Sequence, residues 1–335
     1  MAAFGGALPW ARRMIVEQRC WMTNEEFNET FALSQFLPGP NVINFSVVFG
    51  ARFGGAAGAA VALAGLLGPP VVIVSALAVL YEHFGGVETL SHILAGITAA
   101  ATGLLNRRRS QDGDADVPQA LEFRAGIRAA RVYRRRHHAL AAALCVPRTN
   151  AVQHRVRMVQ AMKSPLTALA GYFALLSLFA VGGANAAIPE MHRISVEVMH
   201  WMSDRQFADM FAISQVSPGP NVIIVTLIGY HVAGVVGAAV ATAAMCGPTC
   251  LLAFFVSRTW DRVKEARWRM AIQAGLVPLS LGLIGASAFV LARSADHNIY
   301  AGLITAVTAV VAFFTRVNPL WVFGAAGVVG LTGWL

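Results

Sequence analysis

Two identical strings stand 180 residues apart in this chain, Pro38-Gly39-Pro40-Asn41-Val42-Ile43 and Pro218-Gly219-Pro220-Asn221-Val222-Ile223. Pro-Gly-Pro cannot lie inside a continuous helix. Each proline removes a backbone donor and its ring clashes with the preceding turn, at about 3 kcal/mol. The strings belong to a longer internal repeat: Pro9–Ile43 aligns without gaps on Pro189–Ile223, with seventeen of 35 positions identical. Shared positions include Arg13/Arg193, Glu17/Glu197, Trp21/Trp201, Ser34/Ser214 and Gln35/Gln215. After one gap the match resumes at an offset of 179, through Gly50/Gly229, Gly55/Gly234, Gly58/Gly237, Gly68-Pro69/Gly247-Pro248 and Gly103-Leu104/Gly282-Leu283. A chain patterned this way folds as two copies of one unit, each interrupted at the same place.

The repeat is set in apolar sequence. Gly55–Tyr81, Leu166–Ala180, Gly234–Val256, Met270–Leu291 and Tyr300–Phe314 reach or approach the roughly 20 residues that cross a bilayer as a helix. Only 13% of residues are charged, where a soluble domain carries about 25%. Most helices therefore cannot keep a wet face. The expected fold is all-α: a polytopic integral membrane protein of two homologous helical repeats, with helices broken at the PGP motifs.

The net charge of +9 is confined to one place. Residues 106–163 hold thirteen Lys/Arg and four Asp/Glu, and the rest of the chain is neutral. The high pI is therefore no sign of a nucleic-acid partner, and a positive loop belongs on the cytoplasmic side. The repeat match stops after Leu105. Copy 2 runs on with two more apolar helices and an Asn318-Pro319-Leu320-Trp321 turn, where copy 1 has the Arg-rich stretch. That stretch is either a cytoplasmic linker or a segment read out of frame that has replaced two helices. The expected division is 1–105 for a shortened repeat 1, 106–163 for the basic or aberrant segment, and 164–335 for repeat 2.

The breaks carry the chemistry. The residues after the second proline begin a new helix, and the proline itself suits the first helical position. The N–H groups from Asn41 and Val42 onward then point into the break. A helix start carries roughly half a positive charge and several free donors, which favours an anion. Broken backbone in lipid is tolerated only where it is buried or lines a cavity, and paired breaks in two repeats point to a transporter's binding site. The expected substrate-binding residues are Gln35, Pro38, Gly39, Pro40 and Asn41 in copy 1, with Gln215, Pro218, Gly219, Pro220 and Asn221 in copy 2. Gln35, Gln215, Asn41 and Asn221 are neutral donors able to complete an oxyanion cage. The blander reading makes them caps on helix ends at a surface corner.

Arg13 and Arg193 stand eight residues before each Trp-Met pair, with a Glu four residues later. They read as surface ion pairs or as cationic gates for a dianion. Arg52 and His231 occupy matching positions after Gly50 and Gly229. The glycines of 54–68, with Gly234 and Gly237, read as small faces for close helix packing. Gly5-Gly6 and Gly182-Gly183 read as a close approach or a bend. Cys246 and Cys250, one turn apart in an apolar run, read as packing, and no metal set accompanies them. Met1–Pro9 lacks the basic start and apolar core of a cleavable signal peptide. No HExxH, Walker loop or GxSxG occurs, so an enzyme is not expected, and no cofactor is called for.

These residues resemble the chromate ion transporter family. Its members carry an FGG motif, a downstream Trp, a PGP motif, and a Gly-rich helix ending in Pro. Here those are Phe4-Gly5-Gly6, Trp21, Pro38-Gly39-Pro40, and Gly54 through Gly68-Pro69. In copy 2 they are Val181-Gly182-Gly183, Trp201, Pro218-Gly219-Pro220, and Gly234 through Gly247-Pro248. The layout is similar to the long, two-repeat branch. Where the family often has Pro after FGG, this chain has Ala7 and Ala184. The resemblance implies multi-pass insertion in a bacterial inner membrane. It also implies export of chromate, a sulfate-like dianion, driven by the membrane potential or by ion exchange, and hence chromate resistance. The solute is expected between the breaks at the midplane, with rocking of the repeats giving alternating access. A sulfate or other oxyanion transporter, and an inactive membrane protein with a corrupted copy 1, stay open as alternatives. Expected partners are the oxyanion and membrane lipid, and pairing of two chains is left open.

Overall fold

The computed structural model describes residues 11–111, 164–180, 183–260, 287–292, 299–314 and 319–331. Phe4-Gly5-Gly6, Pro9, Gly182, nearly all of the Arg-rich stretch, residues 261–286 and the side chain of Gln35 lie outside the described residues. Within them all regular structure is helical.

Each copy opens the same way. A π-helical turn, Arg13–Gln18 or Arg193–Val198, ends at a residue in the left-handed region, Cys20 (φ 49°) or His200 (φ 51°). That twist returns the backbone so that Trp21 N–H reaches the Ile15 carbonyl and Trp201 N–H the Ser195 carbonyl, both at 2.8 Å. A capping box then starts the next helix, α1 (Asn24–Phe36) in copy 1. The Thr23 hydroxyl accepts from Glu26 N–H at 3.2 Å, and the Glu26 carboxylate accepts from Thr23 N–H at 2.9 Å. Ser203 and Gln206 do the same for the helix Asp204–Val216 at 3.2 and 2.9 Å. Reciprocal capping satisfies donors that an isolated helix start leaves bare.

Helix α1 ends where Leu37 turns extended, and α2 (Asn41–Phe84) starts after Pro40. Pro40 is the residue before the helix, at φ −71° and ψ 110°, and not its first helical residue. Its extended ψ sets the angle at which the chain turns back. The first arm of α2, 41–53, runs antiparallel to α1. Arg52 at its far end pairs with Glu26 at the start of α1. Phe45 meets Phe27 at 5.0 Å, and Leu33 and Leu37 share a cluster with Val47 and Val48. The break is therefore the tip of a helical hairpin. Each arm has about 13 residues and so spans about 20 Å, short of the roughly 30 Å of a bilayer core. Neither arm of the hairpin alone is long enough to cross.

A second reversal follows. Helix α2 folds back at Gly54 and Gly55, where φ of +56° at Gly55 suits a residue without a Cβ. A Cβ at Gly50 would overlap the Gly58 carbonyl, so the two arms touch backbone to backbone. The second arm, 56–84, is long enough to cross a membrane. The remaining long helices are α3 (Glu88–Gln111), α4 (Pro165–Phe179), α5 (Asp204–Val216), α6 (Ile223–Trp260), α7 (Ile299–Phe314) and α8 (Pro319–Gly330), with a five-residue helix Ile188–His192 before the second π-turn. Helix α6 repeats α2. It reverses at Ala233 and Gly234 (φ +61°), closes Gly229 against Gly237, and bonds Thr226 to Thr242 across the arms at 2.8 Å. The packing role read for the glycines holds at Gly58 and Gly237. It fails at Gly55 and Gly234, which make turns, and at Gly54, Gly65 and Gly68, around which a Cβ would meet nothing within 4 Å.

The copies interlock. The long arms of α2 and α6 pack together, α4 lies along α6, and α3 packs on α5, α7 and α8. A Cβ at Gly103 of α3 would come 2.6 Å from the Thr305 carbonyl, and Thr305 itself donates to the Ala99 carbonyl at 3.1 Å. The core centres on Phe173, Phe207, Phe211, Ile188 and Met191, all fully buried. Its outer surface is also apolar: Val61 is 72% exposed, Leu251 62% and Trp321 77%. Large apolar side chains spread along long helices, on a chain this poor in charge, match lipid as the solvent.

Candidate binding site at the two helix breaks

Each break rests on the other copy. The extended chain at Pro38–Pro40 is held by Gly39 N–H, which donates to the Ala180 carbonyl at 2.9 Å, just past the end of α4. Gly39 takes φ +89°, and a Cβ there would lie 2.6 Å from the Thr249 side chain on α6. Gly219 takes φ +139°, and a Cβ there would lie 2.7 Å from Pro70 on α2. Pro70 and Thr249 are themselves equivalent positions, each directly after a Gly-Pro pair. The tip of one copy is thus wedged against the proline-marked point of the other copy's long arm, in both directions. Ser177 of α4 donates to the Thr249 hydroxyl at 3.2 Å and ties α4 into this contact.

The two asparagines converge on one segment. Gly183, at φ +90°, starts a 3-10 turn Ala184–Ala187. The amide of Asn41 lies against Gly183, about 3.4 Å from where a Cβ would stand. Asn221 Nδ2 donates to Asn185 Oδ1 at 2.8 Å. Gly183 and Asn185 are two residues apart, a span of at most about 7 Å. Both breaks therefore address the same short stretch.

Polar atoms at the two breaks are left without partners. Asn41 Oδ1, Asn44 Oδ1 and Ser217 Oγ are buried with no hydrogen-bond partner. A buried, unbonded polar atom costs about 1–3 kcal/mol, and in a membrane interior water is scarce as a substitute. Asn44 Nδ2 is engaged by the Pro38 carbonyl at 2.9 Å, which fixes its orientation. Asn41 has no such tether, and a half-turn of its amide exchanges oxygen for NH2. At the start of α2 the N–H groups of Ile43 and Asn44 turn back to the Pro40 carbonyl at 3.0 Å. Those of Asn41 and Val42 come before the first intrahelical bond. Pro40 and Pro220 are buried, while Pro38, Pro218 and Gln215 are half-buried.

The arginines lie elsewhere. Arg193 is clamped by Glu190, with Nε and Nη2 donating to the two carboxylate oxygens at 2.9 and 2.6 Å. The sequence spacing pointed instead to Glu197, which lies 3.9 Å from His192. Glu190 sits three residues back on a regular turn, while Glu197 lies across the π-turn, whose wider coil breaks the i, i+4 register. Arg13 is exposed on the equivalent turn, and Trp10 stands where copy 2 has Glu190. Sequence reasoning missed Asn44, Asn185 and Ser217. Asn44, one turn after Asn41, has Ile224 as its counterpart, so the repeat gave it no weight.

The profile described as Chromate transporter matches residues 1–109 and 167–331. The chain belongs to the chromate transporter family. It is 27% identical to a chromate transport protein of Cupriavidus metallidurans, over 99% of this chain and 90% of that one. It is equally 27% identical to a chromate transport protein of Pseudomonas aeruginosa, over 100% of this chain and 89% of that one. An uncharacterized transporter of Methanocaldococcus jannaschii is 25% identical over 96% of this chain and 89% of its own. No solved structure matches. The family is one of membrane transporters, and the all-helical fold with its apolar exterior agrees.

Proposed function

We propose that this family member binds a chromate-like dianion between the starts of α2 and α6 and carries it out of the cytoplasm across a bacterial inner membrane, which confers chromate resistance. The observation that carries this reading is the convergence of Asn41 and Asn221 on Gly183–Asn185. Two helix starts then face one short segment, beside which the untethered Asn41 amide can turn its NH2 toward a guest. Helix-start dipoles and amide N–H groups supply attraction for a dianion without a fixed cation, so a bound anion can also leave. The neutral tip suits a cycle in which neither loaded nor empty protein traps its guest. The interlocked tips, each wedged on the other copy's long arm, give a contact at which the copies can rock while the site stays between them.

Everted membrane vesicles containing the chain should accumulate chromate when energised. Asn41→Leu and Asn221→Leu should each cut the initial rate about tenfold or more, the loss expected for a charge-assisted hydrogen bond. Full-rate uptake by both variants would remove the site from this place. Sulfate has the same charge and shape, so competition by sulfate in the same vesicles reads how far the site tells the two apart.

A further inference from the structure

A second feature lies between the copies, away from the tips. A cavity of about 690 Å³ opens among the end of α2, the start of α3, α5 and the first arm of α6. Its floor is Met210, Ile213 and Leu227. Ile213 is one turn from the end of α5, and Leu227 one turn into α6, so the floor leads toward the second break.

One wall carries a carboxyl at depth. Asp209 is only 6% exposed and lies about 8 Å along α5 from its start. Its Oδ2 accepts a hydrogen bond from the Tyr81 hydroxyl of α2 at 2.8 Å. Arg205, one turn before it on α5, does not pair with it. The guanidinium turns to the Ser91 hydroxyl of α3 instead. The other ionisable groups on the wall are Glu82 of α2, Glu88 and His92 of α3, and Tyr230 and His231 of α6. Tyr230 donates to Glu82 at 3.4 Å, which ties α6 to α2 across the opening. The wall is therefore poorly suited to hold an anion. Among the described residues no three His, Cys, Asp or Glu side chains gather as a metal would need.

An ionisable side chain inside a membrane protein is costly unless it is used, and proton relays are one such use. We propose that Asp209 is a proton-binding site of the transport cycle, reached from solvent through this cavity and coupled to the anion site at the breaks. This rests on the oxyanion-transport reading above. The carboxylate takes one proton to become a neutral acid, with Tyr81 holding its second oxygen. Neutral, it removes a buried negative charge about 10 Å along α5 from the second break. Ionised, it opposes a dianion there. Proton occupancy and anion occupancy thus favour each other. The equivalent position in copy 1, Glu29, is exposed, so the site belongs to one copy.

Two measurements on the purified full chain test this. The first is pH-difference infrared spectroscopy in detergent. The wild type should show a protonated-carboxyl band that is lost in Asp209→Asn and returns, shifted, in Asp209→Glu. The second uses liposomes containing the chain, a chromate gradient and an internal pH dye. Chromate entry should carry protons in the wild type and in Asp209→Glu. In Asp209→Asn, downhill chromate entry should persist while proton flux falls to that of protein-free liposomes. An unchanged band or an unchanged proton flux in Asp209→Asn would overturn the proposal. Chromate entry without protons in the wild type would do the same. A wild type that moves no chromate would remove the transport reading and the coupling with it, while loss of the band in Asp209→Asn would still support the proton site.

Discussion

The hairpin α1–α2 and the hairpin α5–α6 share a backbone and differ in what their side chains do. Both begin with a π-turn, a left-handed residue and a capping box, and both end at a PGP tip wedged on the opposite copy. At the tips the copies diverge. Asn221 is bonded to Asn185, while Asn41 and Asn44 each leave an oxygen without a partner. At the bases they diverge again. Copy 1 carries an exposed Glu26–Arg52 ion pair, where copy 2 has Gln206 and His231 on the wall of a cavity and a buried Asp209 nearby. The two copies share what the backbone needs and differ in the polar side chains at their tips and bases.

The largest expected effect tests what the copies share. Gly39→Val and Gly219→Val put a branched Cβ into a left-handed backbone with another helix within contact distance. Strain and overlap together should cost roughly 3 kcal/mol or more. Both variants should lose the monodisperse, folded peak in size-exclusion chromatography. A well-folded Gly39→Val would show that the tip is not wedged on Thr249.

Next comes a difference between tips. Asn221→Leu strips Asn185 Oδ1 of its donor and should destabilise by about 1–3 kcal/mol. Asn41→Leu removes an amide whose oxygen was already unbonded, and should leave thermal stability near wild type or raise it. Equal melting temperatures for the two variants would contradict the asymmetry. Smaller still, Tyr81→Phe takes a donor from Asp209 and should cost about 1 kcal/mol. Glu29→Gln, at the copy 1 position equivalent to Asp209, should stay within about 0.5 kcal/mol, as expected for an exposed position.

The smallest effect concerns Glu26. The Thr23 backbone N–H, and then Arg52, hold its carboxyl below the ordinary carboxylate range. A depressed folded-state value means the contribution is present above the unfolded value and lost as pH falls through the folded one. Melting curves below neutral pH should therefore show a small loss in wild type that Glu26→Gln lacks.

Much of this was legible in the sequence. The all-helical membrane fold follows from charge scarcity and long apolar runs, and Pro-Gly-Pro announces its own break through backbone chemistry. The hairpins were not legible. Gly54-Gly55 and Gly234 have the same composition whether glycine packs against a neighbour or turns the chain, and only φ distinguishes the two. The wedge of Gly39 on Thr249 and Gly219 on Pro70 joins residues far apart in sequence, although both targets follow a Gly-Pro pair at equivalent positions. Asp209 sits in Asp204-Arg205-Gln206-Phe207-Ala208-Asp209, which reads as an amphipathic helix start. Its burial comes from α2 and α3 of the other copy, where Tyr81 bonds its carboxylate and Thr98 bonds the neighbouring Ala208 carbonyl.

The central claim is that both breaks serve one guest. Equilibrium dialysis of chromate against the detergent-purified chain tests it most directly. One chromate should bind per chain. Asn41→Leu and Asn221→Leu should each weaken it about tenfold, through one site and not two. Two independent sites, each lost with only one of the asparagines, or binding untouched by either change, would contradict it.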